Sequence, residues 1–249
     1  MLLIYTSDVT SRLKFVFNQI CTRILGIPIS FTTKVEIFIS HEGAKISYAS
    51  QPLGSEFFIK SHGLLFQQGI SDIEVNVQKW GDTKCFFYIG EKSNIPFDIF
   101  SAAFYLLSRY EEYLPHVKDN YGRFTKDDSL SFKHNFLKQP VVDIWALYFK
   151  NELNKFFPKQ KFPAKKYLVD PVIDIPMAYY FKHKGLFRTL GGIFSDLINL
   201  RLQMFYDRFF VLFKLKKDPY DNYNWIINRQ KNSKNRFTLF FLVGDYTSF

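Results

Sequence analysis

The apolar residues of this chain change period at Phe97, and that change limits the folds open to it. Between residues 31 and 89, β-branched and aromatic side chains alternate with polar ones in FTTKVEIFI (31–39), AKISYAS (44–50), EFFIKS (56–61), IEVNVQKW (73–80) and CFFYI (85–89), with Gly43, Gly54, Gly63 and Gly81 between them. A period of two is the mark of strands. Over residues 97–113, Phe97, Phe100, Ala103, Phe104, Leu107 and Tyr110 fall at helical spacing. This predicts one long buried helix, ended by Pro115. A second helix is expected over 140–156, with Val142, Ile144, Trp145, Leu147, Tyr148, Leu153 and Phe156 on its apolar side. Strands and helices in one stretch imply a mixed α/β domain.

The opening supports this class. MLLIYTSD (1–8) reads as a short apolar strand. Thr10 or Ser11 is placed to cap a helix across 12–25, with Phe15, Ile20, Ile24 and Leu25 inward. Gly26 and Pro28 then stop it. No glycine-rich phosphate loop follows the first strand, so a nucleotide-binding version of this start is not supported. Residues 116–138 read as a loop with polar turns. Pro158 and Pro163, with lysines between and after, read as a linker. The expected organisation is an N-terminal domain over 1–160 and a second domain over 167–249.

The second domain begins with YLVDPVIDI (167–175), an almost continuously apolar run of the kind that suits buried parallel strands. Residues 186–215 are expected to be mostly helical, and 221–230 to form another helix. RFTLFFLVGDY (236–246) reads as a second apolar strand. Strand, helices, strand is the start of an α/β barrel or layered sheet. Two parallel strands cannot cover their own edges, so this domain is expected to be incomplete as it stands.

Composition excludes several classes. With 30 Phe, 15 Tyr and 3 Trp the chain is not of the disordered type. Two cysteines, Cys21 and Cys85, make neither a disulfide framework nor a cysteine-only zinc site. No signal peptide and no window long enough for a transmembrane helix stands out, which gives a cytoplasmic protein as the expectation. Net charge is +10. The excess lies in residues 150–249, with 18 Lys+Arg against 8 Asp+Glu, while residues 1–149 balance at 15 each. Such asymmetry raises binding of nucleic acid or an anionic membrane as a reading. The basic residues are interleaved with Phe and Leu, so a solvated or partner-covering segment is the expectation and nucleic acid is not the expected partner.

Five segments are distinctive: FDIFSAAFYLLSRYEEYLPHVKDNYGRF (97–124), SLSFKHNFLKQPVVDIWA (129–146), VIDIPMAYYFKHKGLFRTLGG (172–192), KKDPYDNYNWI (216–226) and FFLVGDY (240–246). In this order, over nearly the whole chain, they resemble a bacterial polysaccharide deacetylase-like group. In that group an uncharacterised N-terminal accessory domain precedes a NodB-homology carbohydrate esterase domain. The resemblance implies a distorted (β/α) barrel beginning near residue 167. It implies metal-dependent hydrolysis of N-acetyl groups on a glycan or glycan precursor. One Asp at a strand end is then the general base, and a second Asp with two His holds a divalent metal, commonly zinc.

Only part of that set is carried over. Asp174 matches the strand-end Asp and is the catalytic candidate. Two residues on, where related chains have another Asp, stands Pro176, which cannot ligate a metal. The paired-His motif is expected beyond Phe249, so the chain as given is expected to be an inactive fragment of a longer enzyme with no cofactor of its own. The alternative is a non-enzymatic carbohydrate-binding or scaffolding protein with a degenerate deacetylase fold. Asp245 and His183 are weak metal candidates, each with a capping or surface role as its plainer reading. Tyr179 and Tyr180 are the candidates for stacking on a sugar. Asp170, before Pro171, reads as structural. His116 and His134 lack a second ligand at metal spacing, and His41 and His62 lie in turns. Arg109, Glu111, Glu112 and Arg123 read as an ion-pair network tying helix to loop, or as a sugar pocket. Gly191-Gly192 reads as a helix end or loop.

Overall fold

In a computed structural model, which describes residues 1–90, 92–163, 168–233 and 235–242, the chain forms two compact units, Met1–Lys165 and Lys166–Phe249. Both are mixed α/β, and each is taken by itself.

The first unit opens with strand β1 (Leu2–Thr6). Thr10 caps helix α1 (Ser11–Phe17) by accepting from Leu13 N. The helix continues as a π-helical segment over Asn18–Ile24. Leu13, Val16, Phe17, Ile20 and Cys21 are buried on its sheet side. Phe15 is instead 47% exposed, resting edge-on against Phe104. Ile20 is inward as expected, and the buried set follows ordinary helical spacing, which leaves Phe15 off that face. Gly26, at φ +72°, ends the segment, and strand β2 (Ile29–Thr32) follows.

The expected strand over 31–39 divides. After β2 the chain turns into helix α2 (Val35–Ser40), which buries Phe38 and leaves Ile37 and Ile39 exposed. Lys34 N donates to Thr32 Oγ1 at the turn that ends the strand. Strands β3 (Lys45–Ala49) and β4 (Phe57–Lys60) stand as expected. The four strands form one parallel sheet in the order β2-β1-β3-β4, with Ile4 opposite both Phe31 and Ile46. The β3–β4 connection is only residues 50–56 and holds no helix. It is folded by the Glu56 carboxylate, which accepts from Ser47 Oγ at 2.5 Å and Leu53 N at 2.8 Å.

Of the alternating run 73–89, β5 (Gln78–Trp80) and β6 (Thr83–Cys85) pair antiparallel at the turn around Gly81, and Tyr88 makes an isolated antiparallel bridge to Phe97. The long helix expected over 97–113 is shorter. Helix α3 (Ile99–Leu107) is capped by Asp98 and ends where Arg109 takes φ +55°, and a 3-10 turn, Tyr110–Tyr113, follows. The expected loop over 116–138 contains a short helix, α4 (Leu130–Lys133). Helix α5 (Val141–Phe156) matches its expected span.

The core lies between the sheet and these helices. Phe17 stacks on Phe100 at 3.6 Å, and Trp145 meets Phe86 and Phe97 edge-on at 5.7 and 5.4 Å. Cys21 and Cys85 are buried free thiols within it. Burial pushes the Cys85 thiol up to about 11 and raises that of Cys21 further, so neither is a nucleophile at neutral pH.

The second unit holds strand β7 (Val172–Ile175), helices α6 (Leu186–Ile198), α7 (Leu202–Leu212) and α8 (Tyr223–Asn232), and strand β8 (Thr238–Phe241). β7 and β8 pair parallel, Val172 opposite Thr238 and Asp174 opposite Phe240. The strands are parallel as expected but not buried, since Val172 is 62% and Phe240 57% exposed. Gly191 and Gly192 lie inside α6 instead of ending it. A Cβ at Gly192 would sit 2.5 Å from the Arg208 guanidinium, which crosses the helix there to pair with the buried Asp196 carboxylate at 2.9 Å. Glycine lets α7 bring this ion pair against α6. Among the described residues no helix is long and apolar enough to cross a membrane.

Candidate functional site

The strand end of the second unit carries most of the candidates named from sequence. Asp174 is exposed on β7, one residue before the strand's end, and its carboxylate makes no hydrogen bond or ion pair among the described residues. Asp170 is exposed ahead of the strand. Tyr179 and His183 come together, ring centroids 4.9 Å apart, and Tyr179 meets Tyr223 of α8 at 5.8 Å. Tyr180 packs on Phe181 and Tyr220. The Tyr223 hydroxyl donates to the Ala178 carbonyl at 2.6 Å, and its ring lies 6.0 Å from Phe241 of β8. The loop after β7 is therefore fastened to both α8 and β8. Asp245 lies outside the described residues.

The organiser of this loop is a residue the sequence reading did not single out. Asp218 is 2% exposed. Its carboxylate accepts from the backbone N–H groups of Tyr180 (2.9 Å), Phe181 (2.8 Å), Lys182 (3.1 Å) and Tyr220 (3.0 Å). Burial alone would raise its pKa, but the four donors outweigh it and hold the carboxyl below its ordinary value. The signal was present in DPYD, where an Asp before Pro commonly starts a turn. A group depressed on folding contributes stability above its unfolded pKa and loses it as pH falls through the folded value. The amides of Phe181 and Lys182 are therefore expected to be strongly protected relative to a free peptide at neutral pH, and to lose that protection only as pH falls below the ordinary carboxylate range. In Asp218→Asn they should exchange fast throughout. Hydrogen exchange by NMR checks this, and equal protection in both proteins would refute the role.

In the first unit the polar centre is Asp98, 0% exposed. Its Oδ2 accepts from Tyr48 OH (2.7 Å), Ser101 Oγ (2.7 Å) and His62 N (2.8 Å). Its Oδ1 accepts from the N–H groups of Phe100 (3.1 Å) and Ser101 (3.0 Å). Burial, then the Asp98 charge, drive the Tyr48 pKa well above its ordinary value. The His62 ring stacks on Phe87 at 4.1 Å, and partial burial lowers its pKa against the pull of Asp98. Every atom of this carboxylate is occupied, so the cluster fastens β3, the end of β4 and α3 to one another.

The Arg/Glu group of the first unit divides into local contacts. Arg109 pairs with Glu112 at 2.5 Å and Arg123 with Asp119 at 3.0 Å. Glu111 Oε2 accepts from Leu130 N at 2.8 Å, while burial raises its pKa against that bond. His116 Nδ1 lies 2.8 Å from the Leu114 carbonyl and its ring faces Phe124, a local packing role. Among the described residues no three His, Cys, Asp or Glu side chains gather as a metal site.

Residues 2–158 match the family of unknown function DUF7033. The chain belongs to DUF7033. No curated protein and no solved structure matches it. The DUF7033 match takes in the parallel sheet, α1 to α5 and the Asp98 cluster, and residues 159–249, with Asp174 and Asp218, lie outside it.

Proposed function

We propose that the second unit is the opening of a NodB-type (β/α) barrel whose parent activity is hydrolysis of N-acetyl groups on a glycan. The observation that carries this reading is Asp174, an exposed carboxylate with no partner among the described residues, next to the carboxyl end of a strand paired parallel with β8. Barrel enzymes place their reactive groups at that end of the strands. In this reading Asp174 is the general base, taking a proton from the water that attacks the acetyl carbonyl and leaving acetate and an amine. Tyr179, 4.9 Å from His183 on the loop after the strand, supplies a ring for a sugar face.

The metal of the deacetylase-like group does not fit the described residues. Asp174 has no second carboxylate or imidazole gathered with it, and Pro176 holds the place of one. That misfit supports a second reading, glycan binding without chemistry. Both are tested on the protein expressed from its complete reading frame, by following acetate release from N-acetylglucosamine oligomers. Acetate release reduced at least about 100-fold by Asp174→Asn supports the hydrolase. Absence of acetate, or release indifferent to Asp174→Asn, overturns it. Glycan retention unchanged by chelator, without acetate, would leave the binding reading.

A further inference from the structure

Helix α6 is the most amphipathic helix of the second unit, and its apolar side is turned outward. Leu186, Phe187, Leu190, Phe194, Leu197 and Ile198 recur at helical spacing and are 44 to 93% exposed. The opposite side is the covered one. Gly192 and the 4% exposed Asp196 lie there, with the Arg208 guanidinium of α7 across them. A surface helix of a globular unit ordinarily buries its apolar stripe and leaves its polar side in water. Six such residues on one face of a helix mark a contact surface, where a single exposed one would not.

Charge decides what covers this face. Residues 182–217 carry eight Lys+Arg and two Asp. Both acids are taken up, Asp196 by Arg208 at 2.9 Å and Asp207 by Lys216 at 2.7 Å. Lys184 precedes α6. Lys217 is brought to the same end, because the neighbouring Asp218 carboxylate accepts from the N–H groups of Tyr180, Phe181 and Lys182. Arg201 stands just past the other end. Lys184, Lys217 and Arg201 make no ion pair among the described residues. Basic and apolar residues that alternate in sequence are thus sorted in space, with cations at the helix ends and apolar side chains between them. A second copy laid on this face would set cation against cation. An anionic bilayer matches both parts, acyl chains meeting the apolar face and headgroups the cations, whose apolar stems lie along the boundary. The 13 residues of α6 span about 20 Å, too short for a hydrocarbon core of about 30 Å, so the helix would lie along the surface.

We propose that α6 docks the protein on an anionic lipid bilayer, with Phe187 and Phe194 among the acyl chains and Lys184, Lys217 and Arg201 at the headgroups. This rests on neither Asp174 nor the glycan reading.

The test is flotation of the protein, expressed from its complete reading frame, with vesicles of equimolar phosphatidylcholine and phosphatidylglycerol, and with vesicles of phosphatidylcholine alone. Aggregates sink, so flotation reports lipid binding. The unaltered protein should partition at least about tenfold more strongly to the anionic vesicles, and less as salt rises. Phe187→Ser with Phe194→Ser removes two exposed rings without opening a buried contact, and should weaken partition at least about tenfold. Lys184→Gln with Lys217→Gln should weaken it about tenfold on the anionic vesicles only. Failure of the unaltered protein to float overturns the proposal. So does flotation that is equal on both kinds of vesicle, or untouched by the paired Phe change. A dimer that does not float, and that the paired Phe change dissociates, would give the face to a second copy instead.

Discussion

Replacing Asp98 by alanine is expected to lower the stability of the first unit by about 4 kcal/mol. The carboxylate is fully buried and accepts five hydrogen bonds, from one phenol, one hydroxyl and three backbone amides. The α3 N-cap alone contributes about 1 kcal/mol. The larger part comes from the donors left behind. The Tyr48 hydroxyl and Ser101 Oγ sit in residues that are 0% exposed, and each buried polar group stranded without a partner costs about 1–3 kcal/mol. Asp98→Asn keeps one acceptor oxygen and should lose about half as much. Urea unfolding followed by far-ultraviolet circular dichroism measures both. A loss under 1 kcal/mol for Asp98→Ala would mean that water or another side chain takes over the carboxylate's place.

Trp145→Ala should have an effect of the same order, about 4 kcal/mol, by a different route. Trp145 is 0% exposed on α5, wedged against Phe86 and Phe97, with Nε1 donating to the Lys84 carbonyl at 2.9 Å. Alanine removes the bicyclic ring, opens a cavity among rings too rigid to collapse into it, and leaves the carbonyl of β6 unpaired. The melting temperature should fall by about 12 °C. Trp145→Phe keeps most of the volume and should lose less than half as much. Calorimetric melting decides the matter, and an unchanged midpoint in Trp145→Ala would mean that the helix is not anchored through this residue.

The elements legible in the sequence were those whose side chains are sorted by burial alone. α5 shows its period because one face meets the core, while β3 and β4, each with three consecutive buried residues, are marked by β-branched and aromatic side chains between turn glycines. α2 hid inside an apparent strand because VEIFIS has alternating apolar residues, two of which, Ile37 and Ile39, are exposed in the structure. The end of α3 was missed because Tyr110 returns to the core after a left-handed residue, Arg109, that no periodicity marks. Among the candidate residues, Asp174, Tyr179 and His183 were legible as types near a strand end. Asp98 and Asp218 were not, because their importance lies in backbone amides up to 38 positions away.

The π-helical segment Asn18–Ile24 has a further consequence. One residue added to an ordinary α-helix turns everything beyond it by about 100° and would carry Leu25 out of the core. A wider turn absorbs such an addition locally, so the residues on both sides keep their contacts. The crossover from β1 to β2 thus holds slack in its coiling. Shortening it by one residue within this segment restores a regular helix in the same phase, whereas the same deletion in α5 would rotate Trp145 or Phe149 out of the core.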